Sequence, residues 1–340
     1  MAFLNEAELD ERLSRPAEAD VEAARAWDGD VLVLGAAGKM GPSLAARARR
    51  AVEAAGRRLR VVGVSRFTDR GVKERLEAAG VDCIECDLLK DGALEALPDA
   101  PNVIHMAARK FGTSGEAAST WASNVLLPAL VAQRFARSRI VAFSTGNVYP
   151  LTDAAGRGPD ETVEPAPVGE YGQSALGRER LLEWASRSRG TKVALLRLNY
   201  AIDLRYGVLA DIAWKVWNGE PVEVAMGYVN VIWQGDANSA ALRSLAMAAS
   251  PPFVLNLTGT EKLAVRELAR EFGRRMGREP VIRGEEAGTA LLSDARRCRE
   301  LFGPGEVSTG EMIEWMAEWV KRGGERWDKP THFEVRTGRF

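Results

Sequence analysis

The chain has 340 residues, of which 46% are hydrophobic and 27% charged, and its net charge of −1 argues against nucleic acid or an anionic membrane as the main partner. Its length fits an α/β unit with an appended lobe, and a core of that size needs no metal or disulfide. No apolar run approaches the roughly 18 residues of a transmembrane helix, and the acidic amino terminus is unlike a secretory signal, so we expect a cytoplasmic protein.

The predicted elements begin with a helical extension, residues 1–28, which is rich in Ala, Glu and Arg and is interrupted by Pro16. From residue 29, apolar runs alternate with segments of helical periodicity. The predicted strands are 31–34, 59–64, a run around Cys83, 102–107 and 139–144, and the predicted helices are 44–55, 72–79 and 121–136. This alternation predicts an α/β fold with a doubly wound parallel sheet covered by helices on both faces.

The carboxyl-terminal part of the chain has a different pattern. Residues 150–169 contain Pro and Gly and predict a surface loop. Beyond residue 200 the alternation weakens and tryptophans become frequent. We therefore assign 29–199 to the sheet domain and 200–340 mostly to a smaller substrate lobe, with some segments returning to the sheet and a final amphipathic helix at 312–320.

Cys83 and Cys86 form a CxxC pattern within a strand-like run. Residues three apart on a strand point to opposite faces, so the two thiols are expected to diverge. No second CxxC and no histidine cluster accompanies them. The sequence thus predicts two buried, inert cysteines and no metal site.

A glycine-rich turn follows the first predicted strand. Gly35, Gly38 and Gly41 lie between that strand and a predicted helix, in the spacing GxxGxxG, with Lys39 and Met40 inside the turn. Glycines let the backbone approach a pyrophosphate, and the helix amino terminus offers unpaired N–H groups, as in Rossmann domains. The turn therefore predicts a dinucleotide site; the alternative is a tightly packed strand–helix junction.

The end of the second strand indicates which dinucleotide binds. NAD selection uses an acidic residue there, whereas a 2′-phosphate needs a cation. Ser65 and Arg66 occupy that position, and a guanidinium suits phosphate, so the sequence favours NADP, with NAD as the alternative. Asp87, after the third strand, is placed to approach the adenine amine.

These features together resemble the extended short-chain dehydrogenase/reductases, which include the NAD-dependent sugar epimerases and dehydratases. The resemblance covers roughly residues 29–325 and rests on GAAGKMG, Asp87, VIHMAA at 103–108, Asn124, FSTGNVYP at 143–150 and YGQSA at 171–175. It implies a nicotinamide dinucleotide, with Leu88, Ala107 and Ala108 as further contacts, and a small-molecule substrate at the carboxyl edge of the sheet. It also implies a homodimer through two helices, near 121–137 and 171–188.

The resemblance further implies the catalytic residues. A Ser or Thr after the fifth strand holds the reacting oxygen, here Thr145 or alternatively Ser144, and a Tyr, here Tyr171, transfers the proton. The lysine that lowers the pKa of this Tyr in the family is replaced by Ala175. Three outcomes are open: Arg178 or Lys110 supplies the cation, the phenol acts only as a neutral donor, or hydride chemistry is lost.

Two other departures narrow the chemistry. The Asp–Glu pair of the sugar 4,6-dehydratases is replaced by Gly146 and Asn147, which argues against that elimination. Val229 occupies the position of the arginine that contacts the diphosphate in nucleotide-sugar members, which weakens the case for such a substrate.

Candidate substrate residues are Asn147, Asn199, Tyr200 and Arg205. Arg205 suits a carboxylate or phosphate, and the alternative is that it caps a helix or pairs with Asp211. His105 is expected to be packed and hydrogen-bonded in place rather than catalytic. The leading hypothesis is an NAD(P)-dependent oxidoreductase or epimerase acting on a small carbohydrate-like hydroxyl or keto substrate. The alternative is a dinucleotide-binding sensor or partner-binding protein without turnover.

Overall fold

The computed structural model describes residues 3, 5–109 and 116–338. Its strands are β1 Val31–Leu34, β2 Val61–Ser65, β3 Asp82–Glu85, β4 Asn102–His105, β5 Arg139–Thr145, β6 Thr152–Asp153, β7 Lys192–Leu198, β8 Ala201–Ile202, β9 Val222–Glu223, β10 Tyr228–Val229, β11 Ile232–Trp233, β12 Phe253–Leu257, β13 Leu263–Ala264, β14 Ile282–Arg283 and β15 Thr289–Ala290. Its α-helices are α1 Glu6–Ser14, α2 Glu18–Arg25, α3 Gly41–Ala54, α4 Arg70–Ala78, α5 Ala117–Trp121, α6 Leu127–Arg134, α7 Gly169–Arg189, α8 Val208–Asn218, α9 Gln234–Arg243, α10 Val265–Met276, α11 Arg296–Phe302 and α12 Thr309–Lys321.

Seven strands form one sheet in the order β12-β7-β5-β4-β1-β2-β3, and every pair in it is parallel. The chain runs outward from β1 through β2 to β3, then crosses to β4 and runs outward in the other direction. The order therefore reverses between β1 and β4, and such a reversal opens a crevice at the carboxyl ends of the strands. The predicted doubly wound parallel sheet is confirmed.

Helices cover both faces of this sheet. Apolar side chains of α2, α3 and α9 pack on one face, and those of α6 and α7 pack on the other. Cys83 packs against the first of these cores and Cys86 against the second, so the predicted divergence of the two thiols is confirmed. Both side chains are half-buried rather than buried as predicted, because β3 is the edge strand of the sheet. Burial raises the pKa of Cys83 to about 11, which keeps it a thiol at neutral pH.

A third core fills the carboxyl-terminal lobe and includes Leu9 and Leu13 of α1. The amino-terminal extension, which was predicted to be helical, forms two helices on either side of Pro16, and it is integrated into the fold rather than appended to it. In α2, Asp20 pairs with Arg47 of α3 at 2.6 Å, and both side chains are buried. β12 is the lobe segment that returns to the sheet.

One predicted helix differs in detail. The segment predicted at 121–136 is not a regular helix, because a π-helical turn, Ala122–Leu126, separates α5 from α6. Inside this turn the Asn124 side chain accepts from Arg109 N at 2.8 Å and donates to Ser174 Oγ at 3.0 Å. The extra residue in the π-helical turn directs the Asn124 side chain toward the segment after β4 and toward α7. No helix within the described residues is long and apolar enough to cross a membrane.

Candidate active site

The glycine turn lies at the sheet's point of reversal. Gly35 has a φ of +92°, and a Cβ there would lie 2.6 Å from Ala107 N. A Cβ on Gly41 would lie 2.4 Å from Ala36 O. These two positions therefore require glycine, because the turn touches the backbone after β4 on one side and itself on the other.

The turn fits a pyrophosphate. Helix α3 starts at Gly41, and Met40, which precedes it, makes no side-chain cap. Gly41 N donates to Gly38 O at 3.2 Å and Pro42 has no N–H, so among the first three helix residues the amide that can face an anion is that of Ser43. Gly38 is exposed, and a Cβ there would meet only Gly35 O, at 3.2 Å. The Met40 side chain packs against the core of one sheet face. The Lys39 ammonium lies 3.3 Å from the centroid of the Tyr206 ring.

The residues predicted to contact the adenosine half lie at the same edge of the sheet. Ser65 ends β2, and Arg66 after it is exposed and takes part in no ion pair with a described residue. Asp87 is exposed, and its carboxylate accepts from Leu89 N at 3.1 Å. Leu88 and Ala108 were also expected to contact the dinucleotide. Leu88 is buried in the core beneath this edge, while Ala108 is exposed.

Thr145 and Tyr171 form a hydrogen-bonded pair at the carboxyl edge. Thr145 is the last residue of β5, Tyr171 is the third residue of α7, and their side chains share a hydrogen bond. Asn147 donates to Thr145 Oγ1 from its backbone N at 3.2 Å and from Nδ2 at 3.1 Å. Burial raises the pKa of Tyr171, while the charge of Arg178 and the bond to Thr145 oppose the rise. The phenol is therefore protonated at neutral pH.

The structure does not bring Ser144 to this pair. Adjacent residues of a strand face opposite ways, and Ser144 Oγ donates to Glu179 Oε1 at 2.5 Å. Glu179 in turn pairs with Arg197 at 2.7 Å, and Arg197 Nη1 donates to Tyr149 Oη at 2.7 Å. Ser144 thus belongs to a buried structural network behind the site.

Arg178 is a cation whose charge acts on Tyr171. Ala175 is fully buried against Val148 and Tyr149, so no charge stands at the position of the family lysine. Arg178, also on α7, is buried; its Nε donates to Asn124 O at 3.3 Å, and its Nη1 donates to Phe143 O.

The Nη2 of Arg178 is buried and has no hydrogen-bond partner among the described residues. Its charge acts on Tyr171 and on His105 of β4. The other sequence candidate for this cation, Lys110, lies outside the described residues.

His105 is packed in the sheet. Its side chain is 1% exposed, and neither ring nitrogen has a hydrogen-bond partner within the described ranges. Burial, with the nearby Arg178 charge, lowers the pKa of His105 to about 3. The imidazole is therefore neutral at physiological pH and cannot donate a proton as imidazolium. It is packed, as expected, but without the expected hydrogen bond.

A cleft adjoins the Thr145–Tyr171 pair. Its lining residues are Asn147, Tyr149, Leu151, Val168, Tyr200, Met226, Leu291, Thr331, Val335, Arg336 and Gly338. Of the predicted substrate residues, Asn147 and Tyr200 line it. Asn199 is buried beside it, where its Cγ would lie 3.2 Å from a Cβ on Gly146. The contact is tight, so a side chain at position 146, such as a dehydratase carboxylate, would require Asn199 or Ser293 to shift by a few tenths of an ångström.

Arg205 is not in the cleft lining. Its Nη2 lies 2.8 Å from Asp203 and 2.8 Å from Asp10 of α1, and the side chain is buried. Arg205 therefore forms a structural ion pair, the alternative interpretation, although its partners are Asp203 and Asp10 rather than Asp211. Val229 is fully buried in the lobe core and pairs with Leu263, so it brings no cation to the cleft.

Sequence reasoning missed the contribution of the chain's end. Thr331, Val335, Arg336 and Gly338 line the cleft, yet they lie in a short mixed-polarity stretch without helical or strand periodicity. No local pattern marks such a segment as part of a site. Within the described residues, no three His, Cys, Asp or Glu side chains are grouped to hold a metal ion.

A parallel sheet that reverses beside a glycine turn, with a hydrogen-bonded Thr–Tyr pair at the same edge, defines a dinucleotide-binding α/β protein of the short-chain dehydrogenase class. A sequence model of the NAD dependent epimerase/dehydratase family matches residues 31–202. The chain belongs to this family of enzymes, and the predicted resemblance is confirmed. A comparison with curated protein sequences finds no significant match.

Solved structures share the fold. UDP-glucose 4-epimerase from Thermotoga maritima, with UDP-glucose, is 22% identical with a TM-score of 0.69, and the match covers 86% of this chain and 99% of that one. UDP-glucuronic acid 4-epimerase from Bacillus cereus, with NAD, is 18% identical with a TM-score of 0.71, covering 86% and 96%. A short-chain dehydrogenase/reductase superfamily protein from Agrobacterium tumefaciens, with bound NAD, is 20% identical with a TM-score of 0.70, covering 86% and 97%.

Proposed function

We propose that this protein is an NADP-dependent oxidoreductase or epimerase, with NAD as the alternative cofactor, that acts on a hydroxyl or keto carbon of a small carbohydrate-like substrate. The observation that carries the proposal is the hydrogen-bonded Thr145–Tyr171 pair next to the glycine turn. A bound nicotinamide dinucleotide would supply the hydride acceptor or donor. The protein's own residues would hold the substrate oxygen and move its proton.

The proton step follows from the environment of Tyr171. A buried phenol with a raised pKa is a hydrogen-bond donor at neutral pH, so Tyr171 donates to a substrate carbonyl oxygen while Thr145 holds the same oxygen. When the proton transfers, the phenolate that remains is stabilised by the buried charge of Arg178. In this proposal Arg178 supplies the positive charge that the family lysine supplies, because the lysine's position is occupied by Ala175 here.

Ser65 and Arg66 support NADP over NAD. The exposed guanidinium of Arg66 follows β2 directly and has no carboxylate partner among the described residues, which leaves it available for a 2′-phosphate. The buried Val229 and the crowded Gly146 favour a substrate smaller than a nucleotide sugar and a reaction other than 4,6-dehydration.

A homodimer is also proposed, through the helical segments around residues 121–126 and α7. Large apolar side chains are exposed there: Trp121 at 39%, Leu126 at 51% and Trp184 at 56%. Leu126→Glu is expected to yield monomers in sedimentation velocity experiments. Val281→Glu, at an exposed apolar position of the lobe, is the control that keeps the dimer.

The first experiment is nucleotide binding, followed by turnover. NADPH and NADH fluorescence titrations of the wild type and of Arg66→Ala test the cofactor; Arg70→Ala, which removes a nearby exposed arginine, is the control. We expect Arg66→Ala to weaken NADPH selectively. Equal weakening of both nucleotides would remove the 2′-phosphate argument.

Turnover is then followed at the nicotinamide absorbance with sugars, aldonates and uronates. Tyr171→Phe is expected to reduce kcat by about 100-fold or more, while Tyr228→Phe, in the lobe, is the matched control. Arg178→Met is expected to lower kcat and shift its pH profile, and the added substitution Ala175→Lys is expected to restore activity in part. Tight nucleotide binding with no turnover, unchanged by Ala175→Lys, would favour the sensor alternative.

A further inference from the structure

The last part of the described chain forms a strap, residues 325–338, that returns from α12 to the cleft. Trp327 N donates to Arg205 O at 3.1 Å. Thr331 donates to Asp211 Oδ2 from N at 2.8 Å and from Oγ1 at 2.6 Å. The Phe333 ring is 2% exposed in the lobe core. These contacts fix the strap on the lobe.

The strap forms one wall of the substrate cleft. The cleft is narrow, with a cavity volume of about 20 Å³, and strap residues make up four of its lining residues. Asn147 lines the same cleft and donates to Thr145 Oγ1, so the cleft leads to the reacting pair. Arg336 is the one charged side chain among its described lining residues.

No carboxylate among the described residues neutralises the positive charge of Arg336. Nη1 donates to Thr289 O at 2.6 Å and to Ala225 O at 3.4 Å, and Nη2 donates to Thr289 Oγ1 at 2.5 Å; all these acceptors are neutral. In the described ranges no ion pair involves Arg336. Neighbouring acids pair elsewhere: Glu334 lies 3.8 Å from Lys215, and Glu286 lies 2.6 Å from Arg266.

A guanidinium that is held in place by neutral acceptors and lines a cleft is suited to bind an anion, because its remaining N–H groups match the oxygens of a carboxylate or phosphate. We infer that Arg336 binds an anionic group of the substrate, so that the substrate is an acidic carbohydrate derivative, a sugar carboxylate or sugar phosphate. This inference rests on the proposed function. The anion at Arg336 and the reacting oxygen at Thr145 would then fix the substrate at two points.

The test is calorimetric titration of the protein saturated with its preferred reduced nucleotide. The probes are D-glucuronate, D-gluconate and D-glucose 6-phosphate, each compared with neutral D-glucose. The variants are Arg336→Gln, Arg336→Lys and the control Arg326→Gln, which removes another strap arginine, one that lies outside the cleft lining. Nucleotide affinity and melting temperature are measured for each variant.

We expect at least one acid to bind the wild type about tenfold or more tightly than glucose. Arg336→Gln should abolish that difference without changing nucleotide affinity, Arg336→Lys should keep part of it, and Arg326→Gln should keep all of it. A preference for the carboxylates or for the phosphate identifies the group.

The inference is rejected if no acid binds, if glucose binds as well as the acids, or if Arg336→Gln weakens acids and glucose equally. The comparison of acids with glucose uses the wild type alone, so it stands even where a variant fails to fold. Turnover of a neutral sugar without any preference for acids keeps the proposed function and removes this inference. Failure to bind either nicotinamide nucleotide removes the proposed function itself.

Discussion

Replacing His105 with leucine should flatten the pH dependence of stability. His105 is neutral in the folded protein because burial lowers its pKa from 6.5 to about 3. In the unfolded chain it binds a proton near pH 6.5, so between pH 6.5 and 3 the unfolded state binds more protons. The free energy of unfolding therefore falls as the pH falls through this range.

The magnitude follows from the two pKa values. A full shift of this size corresponds to about 5 kcal/mol below pH 3, and at pH 5 the loss relative to pH 8 is about 2 kcal/mol. His105→Leu has no such group, and it removes two buried ring nitrogens that lack partners in the described structure. The difference between wild type and variant should therefore change by about 2 kcal/mol between pH 8 and pH 5.

The assay is urea unfolding at pH 8, 7, 6 and 5, at fixed protein concentration, followed by tryptophan fluorescence. Asp236, whose pKa burial raises to about 6, titrates in both proteins and cancels in the difference. His332→Asn is the control, because His332 is the other histidine of the chain and its φ of +54° is one that Asn tolerates. Parallel pH curves for wild type and His105→Leu would refute the argument.

Two further predictions concern the glycine turn and the network behind the site. Gly35→Ala would place a Cβ 2.6 Å from Ala107 N at positive φ, so its free energy of unfolding in urea should fall by about 2 kcal/mol or more and it should not bind nucleotide. Gly38→Ala is the control and should keep the wild-type stability. Equal destabilisation by the two substitutions would contradict the geometry. Glu179→Gln leaves Arg197 buried without a carboxylate and should cost about 3–5 kcal/mol, whereas a melting temperature within a degree of wild type would show that the pair contributes little.

The sheet and the glycine turn could be predicted because their signals are local. β1 starts and ends where the apolar run from Val31 to Leu34 does, and Gly35 marks the turn that only glycine can form there. Thr145 and Ser144 could not be separated from sequence. Adjacent strand residues face opposite ways, and which face meets α7 is decided by packing.

Arg205 and Arg336 show the opposite case. The sequence offered Arg205 as a cation for the substrate, with a structural role as the alternative, whereas the cation in the described cleft lining is Arg336 near the chain's end. Arg205 has a structural role because α1, from the other end of the chain, brings Asp10 to it. Contacts between segments so distant in sequence leave no periodicity by which the sequence could reveal them.

Arg205 in fact joins both ends of the chain at the edge of the site. Its side chain binds α1 through Asp10, its carbonyl accepts from Trp327 of the strap, and its guanidinium lies 4.7 Å from the Trp327 ring centroid. The next residue, Tyr206, stacks on Trp327 and carries Lys39 of the glycine turn on its ring. One loop therefore contacts the amino-terminal extension, the strap and the nucleotide turn. Arg336, the residue inferred to bind the substrate anion, lies on that strap. Its position therefore depends on the loop of Arg205 and Tyr206, which also contacts the glycine turn.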